Sequence, residues 1–438
     1  MQEIYDAVLI GAGPAAVAAI SAVPDNLKIA AATGASAASK SVGRFVHPKI
    51  DDISLRRREL KGVAHPLTFN GRKKGALYDT ATVGGLANYW GQQFLRYDRN
   101  DPWPHDIFDN YSDYAASCEK VEQLFSCMSV AEREVRQDDG YLQCAPNLLV
   151  GSKDDPRAGL SSLRDVFQSM SARKLDRVVS EAVSTWSIKD GLVHLRLDNG
   201  DWLVARQVIL AAGVVGSLRL VMRSCPDLCV ARLSDHMPYM LYYVPKFGKF
   251  NLRVSGDTGH FNSLSLERAD EDHVQLFASV YRMSKAPLSL MLSALGLPPW
   301  LPNLYPPQLV DAILPIQAWT VNSKARYVIK RDSAKAVLDY APAACHDDEL
   351  IRFMDWLSNR GHILRRTMTP PGFGFHFHAG AVSSDGESFE GLQAFLDARY
   401  AGRVICVDGS ILREVGARPH TLTAMAAAHR VISNVNWL

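Results

Sequence analysis

The chain has 438 residues, 47% of them hydrophobic and 21% charged, with a formal net charge of +2. This is the balance of an ordinary globular protein of one large domain or two, and the near-neutral charge argues against a polyanionic partner such as a nucleic acid. No run reaches the ~18 uninterrupted apolar residues of a membrane span. Seven scattered cysteines form no Cys-x-x-Cys pair, so reduced cytosolic thiols are expected and a zinc site is not. The N-terminus has no basic region ahead of an apolar core and runs straight into a strand, so no signal peptide is expected.

In chain order, Tyr5 to Ile10 predicts a strand, Gly11-Ala12-Gly13-Pro14-Ala15-Ala16 a turn, and Ala15 to Val23 a helix of small residues. A dinucleotide pyrophosphate needs this order: glycines admit the backbone close to phosphate, and the helix start offers free N–H groups and partial positive charge. Leu27 to Gly34 predicts a second parallel strand. The acid that would accept the adenosine ribose hydroxyls at its end is replaced by Ala32 and Thr33. Residues 35–78, rich in Ser, Arg and Gly, predict long loops. Val83-Gly84-Gly85-Leu86-Ala87-Asn88-Tyr89-Trp90-Gly91 suits close backbone approach to a flat ligand, and Ile107 to Leu124 predicts a helix.

Further along, Val178-Val179-Ser180 and Leu192 to Leu197 predict strands of a β-meander, with turns at Lys189-Asp190-Gly191 and Asp198-Asn199-Gly200. Ala205 to Leu210 is a buried strand ending in Ala211-Ala212-Gly213 before a helix, the pattern of a strand returning beside the first. Residues from about 230 to 370 alternate short strands, such as Val274 to Tyr281 and Ala325 to Lys330, with helical pieces such as Asp347 to Ser358. They predict an inserted substrate domain with an antiparallel sheet. Within it, Pro287 to Pro307 is apolar and proline-punctuated: a hydrophobic lid or substrate-admitting surface on one reading, a buried loop or subunit contact on the other. Near the C-terminus, Arg403 to Ser410 predicts a strand ending in Asp408-Gly409-Ser410. Thr421 to Val431 predicts a helix with Thr421 as N-cap.

Four of these stretches, in this order, resemble the glucose–methanol–choline family of FAD oxidoreductases: Gly11-x-Gly13; Gly84-Gly85 with Trp90-Gly91, Leu95-Arg96 and Trp103-Pro104; Val208 to Gly213 with Ser217-x-Arg219-Leu220; and Val407 to Ser410 with Thr421 to Ala426. Ser234-Asp235-His236 also looks like a family segment, and the matches span residues 5–432. The resemblance implies an α/β protein with a Rossmann-like FAD-binding domain of discontinuous segments and an α+β substrate domain with an antiparallel sheet. Residues 1–230 would be mainly the FAD domain, with insertions at about 35–80 and 100–170. Residues 231–370 would be mainly the substrate domain, and 371–438 would return to the first. The resemblance puts ADP at Gly11 and Gly13, with Pro14, Ala15, Thr33 and Val179 beside it and Ala211, Ala212 and Gly213 near the ADP half. It puts Gly84, Gly85, Asn88, Tyr89 and Trp90 near the flavin, and Asp408, Gly409, Thr421 and Leu422 near the pyrophosphate and ribitol. Covalent relatives carry a histidine in the Gly-Gly loop. Tyr89 stands there in this chain, so non-covalent FAD is expected, released readily on dilution because the ribose acid is missing.

Flavin oxidation of an alcohol needs a base near working pH, which favours histidine. In Gly372-Phe373-Gly374-Phe375-His376-Phe377-His378-Ala379-Gly380, strand alternation puts His376 and His378 on one face. His378-x-Gly380 resembles the family motif and is favoured as base over His376; no third ligand suggests a metal. The family's second His or Asn falls in register on Pro419, with His420 one residue late, and Arg418 can place a cation near the flavin or an acidic substrate. His236 and His429 read as structural. The expected function is a cytoplasmic FAD-dependent oxidoreductase acting on a moderately hydrophobic small molecule by proton abstraction and hydride transfer to flavin N5. The altered His/Asn position leaves open a tailoring enzyme of secondary metabolism, with desaturation, oxygenation or lyase/hydrolytic chemistry. The missing ribose acid leaves open a degenerate member without catalysis.

Overall fold

The computed structural model describes residues 3–34, 65–69, 72–77, 83–85, 87, 93–125, 136–144, 159–246, 262–270, 273–281, 312–331, 336–340, 346–368 and 375–438. In chain order the first strands are β1 (Ile4–Ile10), β2 (Ile29–Ala32), β3 (His65–Phe69), β4 (Arg72–Leu77), β5 (Arg136–Asp138), β6 (Tyr141–Cys144) and β7 (Arg177–Val179). Next come β8 (Val183–Lys189), β9 (Leu192–Leu197), β10 (Trp202–Leu210), β11 (Leu228–His236), β12 (Tyr239–Pro245), β13 (Asn262–Ala269) and β14 (Val274–Tyr281). The last are β15 (Leu314–Thr320), β16 (Lys324–Lys330), β17 (Ala336–Tyr340), β18 (Gly361–Met368), β19 (Phe375–Ser383), β20 (Ser388–Phe389) and β21 (Val404–Cys406). The helices are α1 (Pro14–Ala22), α2 (Tyr111–Glu122), α3 (Gly159–Lys174), α4 (Val214–Ser224), α5 (Asp348–Ser358), α6 (Leu392–Tyr400) and α7 (Thr421–Ser433).

These strands form three seven-stranded sheets. The first has a parallel body, β7-β2-β1-β10-β21, in which β1 pairs along its full length with Val204–Leu210 of β10. Its other edge is shared: Trp202–Ala205 pair antiparallel with β9, and Val208–Leu210 pair parallel with β21. The buried runs Ala7-Val8-Leu9-Ile10 and Val208-Ile209-Leu210 are what a parallel sheet covered on both faces requires. Helix α1 packs against α7 and α3. Its residues Ala15 to Ile20 are all buried, and mostly alanine lets both partners approach closely. Lys174 of α3 caps its C-terminal end, donating to the carbonyls of Ser21 at 3.3 Å and Val23 at 2.7 Å.

Two corrections to the sequence reading concern strands. Residues 65–77, expected as loop, contain the β3–β4 hairpin, and β7 pairs parallel with β2 instead of joining the meander, which is β8-β9-β10. The second sheet, β20-β19-β11-β16-β17-β3-β4, gathers strands from four separated parts of the chain. The third, β18-β12-β15-β14-β13-β6-β5, packs one face on α5 and has its own core. There, Leu266, Ala278, Ile316 and Ala318 meet Leu350, Phe353 and Trp356. The region expected to hold one antiparallel sheet thus contributes to two. Pro287 to Pro307 lies outside the described residues. Among the described residues, no helix is long and apolar enough to cross a membrane.

In β19 the register against β11 jumps from Phe377–Leu233 to Ala381–Ala231, so two extra residues fall at 378–380. Gly380 there has φ +83°, and a Cβ would overlap the carbonyl of Phe389. Gly380→Ala is expected to destabilise the protein by about 3 kcal/mol or more, read as a lower denaturant midpoint at unchanged slope.

Candidate functional site

The C-terminal ends of the parallel strands form one edge of the first sheet, the place where an open α/β sheet binds ligands. At its centre, Gly11 follows β1 with φ +113°, and a Cβ on it would overlap the carbonyl of Ala211. Two backbone bonds hold this junction: Ala211 N–H donates to Ile10 C=O at 2.9 Å, and Gly11 N–H to Ala32 C=O at 2.9 Å. Gly84 N–H donates to Ala12 C=O at 2.8 Å, and a Cβ on Gly85 would come within 3.3 Å of the Cα of Gly13. Three glycine turns, at Gly11–Gly13, Gly84–Gly85 and Ala211–Gly213, are thereby in contact. Of the loop after Gly85, Asn88, Tyr89 and Trp90 lie outside the described residues.

Gly13 is the N-cap of α1 and Pro14 its first residue; no side chain caps this end and no acid lies in its first turn. Gly213, with φ +77°, starts α4 in the same uncapped way. Free first-turn N–H groups with glycines in front suit a pyrophosphate, so the residues present fit a dinucleotide. At the flank, Thr33 N–H and its hydroxyl both donate to Val179 C=O, at 2.9 and 3.3 Å, and Gly34 N–H donates to Glu181 C=O at 3.2 Å. Ala15 is buried under the turn, whereas Ala212 is half-exposed.

Asp408 is buried, and its carboxylate accepts from Ser217 Oγ of α4 and from Ser410 N–H at 2.9 Å. Burial pushes its pKa up, and these donors pull against that shift. The carboxylate is spent on tying the Gly409–Ile411 turn to α4, which leaves the Gly409 backbone as the part of this motif able to meet a ligand. Leu422 is fully buried in the core.

The N-cap of α7 is His420, one residue before the expected Thr421, which is the first helical residue. The His420 ring makes no hydrogen bond among the described residues, and burial alone lowers its pKa to about 4. It is therefore neutral at pH 7 and half-buried, an imidazole with both nitrogens available. His376 pairs with Ser234 of β11 on β19, and β19 packs against the Gly409–Ile411 turn. His378 falls within the bulge at 378–380.

Arg418 departs most from the sequence reading. It is not a free cation facing a ligand. It is buried, with Nη1 at 2.6 Å from Asp98 and 2.8 Å from Asp101, and Nη2 at 2.6 Å from Glu267. Nothing in the sequence marks Asp98, Asp101 and Glu267 as its partners, because they lie 151 to 320 positions away. His236 is buried on β11, and His429 meets Ser433 on α7, as structural histidines do.

A parallel sheet with glycine turns at its C-terminal edge, joined to separate antiparallel sheets, defines the class of fold. No protein-family model matches the sequence, and no curated protein matches it. Solved structures share the fold over nearly the whole chain. Pyridoxine 4-oxidase from Mesorbium loti is 12% identical, with 98% of each chain covered and a TM-score of 0.55. Two single-arginine variants of the formate oxidase of Aspergillus oryzae RIB40, made to follow FAD modification, are each 11% identical. One covers 98% of this chain and 97% of its own with a TM-score of 0.63, the other 98% of both with 0.61. The mixed α/β architecture implied by the glucose–methanol–choline resemblance is the one observed.

The low pKa of His420 links stability to pH. Above pH 6.5 the ring is neutral in both folded and unfolded chains. Between pH 6.5 and about 4 only the unfolded chain takes the proton, so stability falls across that window and levels off below it. In urea unfolding at pH 7 and pH 4, His420→Gln is expected to lose less stability than the wild type, by up to about 3 kcal/mol.

Proposed function

We propose that the chain is an FAD-dependent oxidoreductase that oxidises an alcohol or related C–H group of a moderately hydrophobic small molecule, with FAD held non-covalently. The observation that carries this reading is the junction of three glycine turns at the C-terminal edge of a parallel sheet. The chain shares its fold with one oxidase of an alcohol-bearing compound, pyridoxine, and with another whose FAD was under study. When bound, the flavin accepts the hydride that leaves the substrate carbon.

The protein supplies the rest. The first-turn N–H groups of α1 and the backbone of Gly11–Gly13 hold the pyrophosphate, with the Ala211–Gly213 and Gly409 turns flanking it. A hydroxyl proton leaves for an imidazole nitrogen as the carbonyl forms. His420 is neutral at working pH and its ring makes no hydrogen bond among the described residues, so it can accept that proton or a hydrogen bond from the hydroxyl. His378, and next to it His376, are the second imidazole candidates. Tyr89, where covalent relatives have histidine, supports non-covalent attachment.

The purified full chain is expected to show the visible bands of oxidised flavin and to release the flavin into the supernatant on acid precipitation. A colourless protein overturns the reading, and flavin in the pellet overturns its non-covalent part. Anaerobic bleaching by a panel of primary alcohols should slow by roughly a hundredfold or more in His378→Ala and in His420→Ala. If neither substitution slows it, the catalytic assignment is wrong.

A further inference from the structure

Beyond the turn itself, residues 416–418 are held at both backbone and side chain. Tyr97 Oη accepts from Gly416 N–H at 3.1 Å and donates to Arg418 C=O at 3.2 Å. Tyr97 is itself fixed: its N–H donates to Tyr114 Oη at 3.1 Å, and its carbonyl accepts from Tyr111 Oη at 2.9 Å. Tyr114 Oη also lies 2.8 Å from Thr423 Oγ1 of α7, and Trp103 stacks over the Tyr114 ring. Tyr114 thus holds the chain after His420 directly, at Thr423, and the chain before it through Tyr97, which Tyr111 also fixes.

The Arg418 side chain reaches the other way. Asp101 accepts from Asp98 N–H at 2.8 Å and from Val274 N–H of β14 at 3.4 Å, and Glu267 belongs to β13. Arg418 therefore bridges the turn before α7, the loop at 97–101 and two adjacent strands of the third sheet. A chain from α7 to that sheet runs through one guanidinium, whose planar fork engages separate carboxylates on each end.

Resting on the reading of His420 as a working imidazole, we infer that Arg418 is a positioning residue: with Tyr97 it clamps the 416–418 turn that sets His420 at the N-cap of α7 and keeps its ring half-buried. The action of the clamp is mechanical. Burial is what lowers the His420 pKa. Moving the ring toward water is therefore what loss of the clamp would report.

The test is ring NMR of histidine-labelled full-length protein, with the His420 signal assigned by its absence in His420→Gln. Tyr97→Phe removes the hydroxyl that bridges Gly416 and Arg418 and leaves every carboxylate paired; Arg418→Lys keeps the charge and removes the fork. In each, the His420 half-titration is expected to move from about pH 4 toward the ordinary 6.5 by at least one unit, a tenfold change in proton concentration. Arg418→Lys should shift it further than Tyr97→Phe. An unchanged His420 titration in folded Tyr97→Phe overturns the inference, and if Arg418→Lys does not fold, Tyr97→Phe alone decides. Failure of the functional reading is separate: it shows as a wild-type protein without flavin.

Discussion

The contact on which the rest of the structure depends is the approach of the Ala211 carbonyl to Gly11. Parallel pairing of Ile4–Ile10 with Val204–Leu210 carries the two strands to the same edge, and the Ala211 N–H extends the ladder by one bond. The turn after β1 must then pass through the space where any other residue would put its Cβ. Glycine is needed there for backbone proximity as well as for a positive φ. Once the turn is in place, Gly13 starts α1, Gly85 seats against it, and Gly213 starts α4 beside it. Asp408 then fastens the last turn to α4 through Ser217.

A second constraint joins this crevice to the third sheet. That sheet has its own apolar core on the α5 side, so the two cores do not merge through it. Between them the contact is mixed: Leu95 and Ala417 pack on Val274 and Phe277 of β14, while Gln93 Nε2 donates to Ser265 at 3.3 Å and Ser279 at 3.2 Å, and Arg418 meets Glu267 two residues along β13. Buried ion pairs add little net stability over well-packed apolar groups, but removing one partner leaves uncompensated charge and costs about 3–5 kcal/mol. The apolar cluster supplies adhesion to this contact, and the polar links set its register. Together they permit few relative placements of the sheet and the turn before α7, which suits a site that must hold an imidazole and a ligand in fixed relation.

Much of the first sheet was legible because its information is local. The apolar run Ala7 to Ile10, the glycines after it and the alanines of α1 each state their role within a few residues. So do Val208 to Gly213 and Val404 to Ser410. The β3–β4 hairpin carries a local signal too, the Asn-Gly pair between Phe69 and Arg72, but the charged Arg72-Lys73-Lys74 do not read as a strand. The second sheet was not legible. Its strands come from residues 65–77, 228–236, 324–340 and 375–389, and no local pattern says which edges will meet.

By itself the sequence determined the strand–glycine–helix units, their order, and the residue types able to meet a dinucleotide. Backbone conformation at short range depends on nearby side chains and on glycine, and both are visible in a string. Tertiary structure alone decided that Arg418 is neutralised within the protein instead of offered to a ligand, and that Asp408 is spent on Ser217. It also decided that His420, and not Thr421, stands at the N-cap of α7, with a neutral ring that makes no hydrogen bond among the described residues. Those outcomes depend on which distant groups share a dry space, where the cost of an unpaired charge selects the partners.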